Sequence, residues 1–178
     1  MSSYYYLIAS LPMLFFEGEP PISILEFRET CSYLMKEQDF RTIQYTLLNA
    51  SSKKQVANPI VLRWQKFENG LRNEIARLRA KEKGKDEESY IKPGYSNPLL
   101  ALKAREIFEA ENPLKAEMFF IQMLWDMCDE LEASQIFNLE FLIIYHLRLQ
   151  ILERKNSFNA EKGRQNVESI VTGELCNE

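Results

Sequence analysis

Histidine is nearly absent from this sequence, which has one, His146, in 178 residues. A lone imidazole excludes catalytic pairs with a second histidine, most zinc sites and the paired Glu-x-x-His arrangement of di-iron bundles. Cysteine is almost as scarce. Cys31, Cys128 and Cys176 are odd in number and far apart, which excludes a disulfide framework and a CxxC metal site and fits a reducing compartment. None of the six glycines builds a phosphate-binding loop, because Gly84-Lys85 lacks both the upstream glycine and the following Ser or Thr. No run reaches the roughly 18 to 20 apolar residues of a membrane span. The apolar opening, Met1 to Phe16, has no preceding base, is broken by Pro12 and runs into Glu17 and Glu19. It reads as part of the folded domain, not as an export signal.

Net charge is small as well: 22 bases against 26 acids give -4. That balance excludes a wholly basic nucleic-acid binder. What is present is a globular composition, 46% apolar and 27% charged, over a length that suits a single domain, residues 1–178.

Helix starts punctuate the chain. Asn-Pro occurs at Asn58-Pro59, Asn97-Pro98 and Asn112-Pro113, each before an apolar stretch of helical period. Asn accepts a backbone N–H bond as a cap, and Pro at the first helical position loses only a donor already orphaned there. Ser23 and Glu26 have capping-box spacing with Ile22 and Phe27 placed as a hydrophobic staple, predicting a helix over Ser23 to Lys36. Asp39 is expected to cap a second helix, through Asn49. Asn138 and Asn159 are expected to cap two more, Leu139 to Asn156 and Ala160 to Leu175. The expectation is an all-α bundle of about seven helices. Tyr4 to Leu11 is aromatic and aliphatic without helical spacing; it reads as a short extended segment or the first turn of a helix. The polar, turn-rich stretch 82–97 reads as a mobile surface loop, or as a subdivision of the domain.

The near-neutral total hides two opposite stretches. After Pro59, an apolar stripe of Ile60, Trp64, Phe67, Leu71, Ile75 and Leu78 predicts a helix lying on another helix. Its other faces carry Arg63, Lys66, Arg72, Arg77, Arg79, Lys81, Lys83 and Lys85 against Glu68, Glu74 and Glu82. Eight bases against three acids leave a surplus of five. Part of this surplus complements the negative end of the helix dipole; the rest suits an acidic partner surface or, less well for want of interleaved aromatics, RNA. From Glu106 to Glu132 the sign reverses, with eight acids, among them Glu109, Asp126, Asp129 and Glu130, against Lys115 alone. The two stretches either face each other within the domain or face separate partners.

No catalytic constellation emerges. His146 lies in an apolar helix and reads as a core residue, and Cys128, similarly placed, as inert. Asp126, Asp129 and Glu130 share about one turn, but with no glycine-turned loop they read as a solvated acidic face, not a cation site. The expectation is a non-enzymatic protein with no cofactor and no metal.

One resemblance spans most of the chain. Tyr4-Tyr5-Tyr6-Leu7-Ile8-Ala9-Ser10-Leu11-Pro12, then Asn58-Pro59 with Trp64 and Phe67, Leu71-Arg72-Asn73 with Arg77 and Arg79, Asn97-Pro98-Leu99, Trp125-Asp126 with Asp129-Glu130-Leu131, and Leu149 to Arg154 followed by Phe158 and Lys162-Gly163 resemble a bacterial family encoded alongside V-type ATPase subunits. The opening also looks like that of the C-type component of the archaeal-type ATPase, known in eukaryotes as the d component, an all-helical socket between membrane rotor and central stalk, although there Arg follows the Ala where this chain has Ser10. The resemblance implies a non-catalytic accessory or structural subunit. Its partners would be proteins of the rotor ring or central stalk, with no direct nucleotide, and it would be cytoplasmic, meeting the membrane only through the complex. A helical nucleic-acid-binding or general protein-interaction module using the basic helix 59–85 is the alternative. Candidate contacts are Tyr4 and Tyr5 as exposed anchors, the bases Arg63, Lys66, Arg72, Arg77 and Arg79, and the acids Glu109, Asp126, Asp129 and Glu130. Reversing Arg63, Lys66 and Arg72 together is expected to weaken partner binding, measured by pull-down, and to leave the circular dichroism of the fold unchanged.

Overall fold

Short polar side chains start most of the helices. In the computed structural model, which describes residues 4–48, 57–86, 88–91, 97–133 and 135–158, Asn58 Oδ1 accepts from Ile60 N at 2.9 Å, Asn97 Oδ1 from Leu99 N at 3.0 Å, Asn112 Oδ1 from Lys115 N at 2.8 Å and Asn138 Oδ1 from Phe141 N at 3.0 Å. The capping box is complete: Ser23 Oγ accepts from Glu26 N, and Glu26 Oε2 accepts from Ser23 N at 2.8 Å. That backbone bond, with a second from the Ser23 hydroxyl, holds the Glu26 carboxyl below its usual range.

The described residues form seven helices and no strand: α1 (Tyr5–Ser10), α2 (Ile24–Leu34), α3 (Glu37–Tyr45), α4 (Pro59–Glu82), α5 (Pro98–Phe108), α6 (Pro113–Glu132) and α7 (Leu139–Ser157), with one 3-10 turn at Glu88–Tyr90. The fold is all-α. The membership differs from the expected set. The opening segment is helical over α1 and becomes extended only from Leu11, while the helix expected over Ala160 to Leu175, with its Asn159 cap, lies outside the described residues. At six residues, α1 is too short to persist by propensity. It is held by tertiary contact, with Tyr4, Leu7 and Ile8 buried and Tyr4 N bonded to Phe137 O at 2.9 Å.

Asp39 is not a cap. Lys36 occupies the cap position without a side-chain bond, and Asp39 lies within the first turn of α3, where its charge suits the dipole and its carboxylate accepts the Tyr4 hydroxyl at 2.5 Å. A tertiary acceptor role has displaced the local one.

Helix α7 is the hub, touching α2, α3, α4 and α6, while α4 packs on α5 across the stretch that joins them. Residues 142–147 are buried without interruption, and Leu149, Ile151 and Leu152 extend the buried surface, as a helix apolar on every side requires. Its polar side chains hold the first third of the chain. Tyr145 Oη donates to Pro12 O at 2.9 Å, the Lys155 ammonium donates to Phe16 O, and Glu153 Oε1 accepts from Ile24 N at 2.9 Å. Gln150 donates to Thr46 O at 3.0 Å and accepts from Leu48 N at 3.2 Å.

Leu147 has no exposed surface, whereas Leu102 on α5 is 62% exposed. Leu147→Ala is expected to cost about 2–5 kcal/mol, cavity included, and Leu102→Ala about 0.5 kcal/mol or less. Chemical denaturation checks this as a shift in midpoint at constant slope.

Candidate interaction surfaces on helix α4

A helix turns about 100° per residue. With Ile60, Trp64, Leu71 and Ile75 facing the core, that rotation places Arg63, Lys66, Arg77 and Lys81 on one flank of α4, and Arg72, Arg79 and Lys83 on the other. The surplus of bases read from the sequence is therefore two surfaces. Two acids of α4 are used within the helix: buried Glu68 accepts from Arg72 Nη2 at 2.9 Å, and buried Glu74 from Arg77 Nη1 at 2.8 Å. Arg63, Lys66, Arg79, Lys81, Lys83 and Lys85 lie wholly or partly at the surface, and none makes an ion pair among the described residues.

The first flank borders a groove of about 330 Å³ between α4, α5 and α6. Arg63, Lys66 and Lys103 stand on its rim with Asp126 and Glu130, over a floor that includes Phe67, Leu100, Met123 and Met127. Opposite charges thus share one concavity. No ion pair joins them among the described residues; Asp126 accepts instead from Gln122 Nε2 at 2.9 Å.

The second flank borders a larger cavity, about 550 Å³, where the last turns of α4 meet the start of α6 and the end of α7. Arg72, Arg79, Lys83, Lys85 and Arg154 converge on it, with Glu117 the only acid in its wall among the described residues. Arg72 and Arg154 lie over the Phe120 ring at 5.0 and 5.6 Å, and Arg154 pairs with Glu117 at 2.5 Å. Lys85 stands 5.8 Å from the centroid of Tyr90, whose ring is exposed at the rim.

The remaining candidate residues are dispersed. Glu109 pairs with Arg105 at 3.7 Å, and Asp129 with Arg148 at 2.5 Å. Three of the eight acids of the stretch are matched by α7, since Arg148 also pairs with Glu132, and Arg154 with Glu117. Tyr4 is not an exposed anchor, since its ring is buried and its hydroxyl is taken by Asp39. Tyr5 is half-exposed and packs on Phe137 at 4.5 Å; Tyr6, 88% exposed, is the open ring of that edge. Arg72 is also a poor site for charge reversal, because a carboxylate there would face buried Glu68. Lys103, Arg154 and Tyr90 were missed. They come to the two concavities from α5, from α7 and from the 3-10 turn. Only Arg154 carried a sequence signal, a base in the last turn of its helix, and that signal reads as dipole matching.

No group of three or more metal-ligating side chains occurs among the described residues. Burial pushes the Cys31 thiol up to about 12 and raises Cys128 further still, which keeps both in the unreactive thiol form. His146 is fully buried, stacked on Phe27 at 5.7 Å, with Arg28 Nε donating to its Nε2 at 3.2 Å. Burial, reinforced by the Arg28 charge and opposed by a backbone hydrogen bond with Ile43, drops its pKa from 6.5 to about 3. The unfolded chain then binds a proton that the native state refuses between about pH 6.5 and 3, so stability falls as pH falls through that window and is flat in this respect above it. His146→Gln is expected to flatten the stability slope between pH 6.5 and 5, by up to about 1.4 kcal/mol per pH unit, in denaturation curves recorded across that range.

Comparison with protein-family models, with curated proteins and with solved structures returned no match.

Proposed function

We propose that this chain is a non-catalytic accessory or structural subunit of a V-type ATPase, docking on the rotor or central stalk through the groove between α4, α5 and α6. The groove's charge pattern carries the proposal. Arg63, Lys66 and Lys103 stand opposite Asp126 and Glu130 without pairing among the described residues, separated by an apolar floor. Charges that a fold leaves unmatched around a concave apolar patch are arranged for a partner of alternating sign, whose approach they steer and whose register they set. Met123 and Met127 give that floor an adaptable shape.

The sequence resemblance supplies the identity of the partner, and the absence of a membrane-crossing helix among the described residues is consistent with contact through the complex alone. The chain is expected to co-purify with a tagged ATPase from the native cell. Arg63→Glu with Lys66→Glu is expected to reduce its recovery tenfold or more, with the loss entering mainly through a slower, less salt-sensitive association. Intact ATPase complexes that never contain this chain rule the proposal out.

A further inference from the structure

The cavity on the opposite flank of α4 has a different character, and its reading stands apart from the ATPase proposal. The geometry points to a binding site for a small phosphoanion, a ligand carrying two or more linked phosphate groups. Five cationic side chains from α4, the stretch after it and α7 converge on about 550 Å³ with one carboxylate in the wall among the described residues. That volume suits a compact organic or inorganic ligand.

Helix-dipole matching does not account for the charge. The C-terminal end of a helix is equivalent to about half a negative elementary charge, and Arg79, Lys83 and Lys85 already exceed it without an ion pair among the described residues. Nor is the arrangement a solvated helix face, since Lys85 lies beyond the helix end and Arg154 arrives from α7.

The pieces are preorganised. Arg72 and Arg154, paired with Glu68 and Glu117, lie over the Phe120 ring and form the fixed wall. Arg79, Lys83 and Lys85 stand at the mouth, where no acid reaches them among the described residues. The Arg79 guanidinium fork matches a pair of phosphate oxygens, and the ammonium groups of Lys83 and Lys85 add point charges. Ile75, Ile107 and Phe120 line the apolar side, and a low-dielectric wall concentrates the field of the cations. A single phosphate or a sulfate leaves most of the three mouth cations unmatched; linked phosphates match them together.

Inorganic tripolyphosphate is the probe, titrated into the purified full chain by calorimetry. Saturable one-to-one binding is expected, weakening steeply with salt, with sulfate at equal ionic strength failing to compete. Arg79→Ala with Lys83→Ala, both remote from the core, is expected to weaken binding at least tenfold at unchanged thermal stability. Arg63→Ala with Lys66→Ala, on the other flank, is expected to leave it within twofold. Phosphatidylcholine vesicles doped with a lipid diphosphate, whose headgroup carries two linked phosphates, separate the sources of the phosphate. Binding of tripolyphosphate but not vesicles assigns a free metabolite, and vesicle binding that tripolyphosphate displaces assigns a lipid headgroup. The proposal is overturned by an absence of saturable binding at low salt, by unchanged affinity in the cavity variant, or by equal losses in the two double variants.

Discussion

The rest of the structure depends on how α7 divides its surface. Its apolar residues fill the centre of the bundle, and its few polar side chains reach outward to backbone groups that no helix or sheet would otherwise satisfy. A buried backbone donor or acceptor left without a partner costs about 1–3 kcal/mol, so a chain segment without regular structure can lie against a core only where such partners exist. Tyr145, Lys155 and Gln150 provide them to Pro12, Phe16 and the stretch Thr46–Leu48, while Glu153 accepts from Ile24 N at the exposed start of α2. Burial raises the Tyr145 hydroxyl to about 12, so it remains a donor across the physiological range. His146 completes the row as a neutral ring between Phe27 and Arg28.

A second layer of organisation is electrostatic and fixes how α6 lies on α7. Glu117 near the start of α6 meets Arg154 near the end of α7, while Asp129 and Glu132 near the end of α6 meet Arg148. The two clusters define an antiparallel register. Their contribution is to orientation more than to stability: the Arg148 side chain is only 13% exposed, and Arg148 Nε has no acceptor among the described residues, so desolvation offsets much of the attraction. The Arg148 guanidinium also covers the Trp125 ring at 5.2 Å, which adds a cation–π contact to the seam. Asp126 and Glu130, the two acids of α6 outside these clusters, face the groove they share with Arg63 and Lys66 of α4.

Most of the fold was legible because caps are local. An Asn before a Pro, or a Ser three residues before a Glu, states its helix start without reference to the rest of the chain; the starts of α2, α4, α5 and α6 follow such signals, and α7 follows the lone Asn138 cap. Elements held by remote contacts were not legible. Helix α1 has no side-chain cap and depends on Phe137, which itself adopts a left-handed backbone at φ 52° to present its carbonyl to Tyr4; such a conformation is sparsely populated for a bulky residue and persists only where surrounding contacts compel it. Asp39 was misread for the same reason, since its hydroxyl donor lies 35 residues away. Of the two concavities, the flanks of α4 follow from helical rotation alone, but the side chains that complete them, Lys103, Arg154 and Tyr90, belong to other elements and no spacing announces them.

The straps from α7 to the first third of the chain also set the order in which the molecule can become complete. The bond from Lys155 to Phe16 spans 139 residues and that from Tyr145 to Pro12 spans 133. During synthesis at roughly 5–20 residues per second, the opening segment therefore waits several seconds or more before its partners exist. Through that interval Phe27, Cys31 and Ile43, all fully buried in the finished fold, have no hub to cover them. Helices α4 to α6 can pair as they emerge, because their contacts are between neighbours in the chain. The amino-terminal third is made first and secured last, and its exposure to chaperones, proteases and aggregation is governed by the arrival of α7.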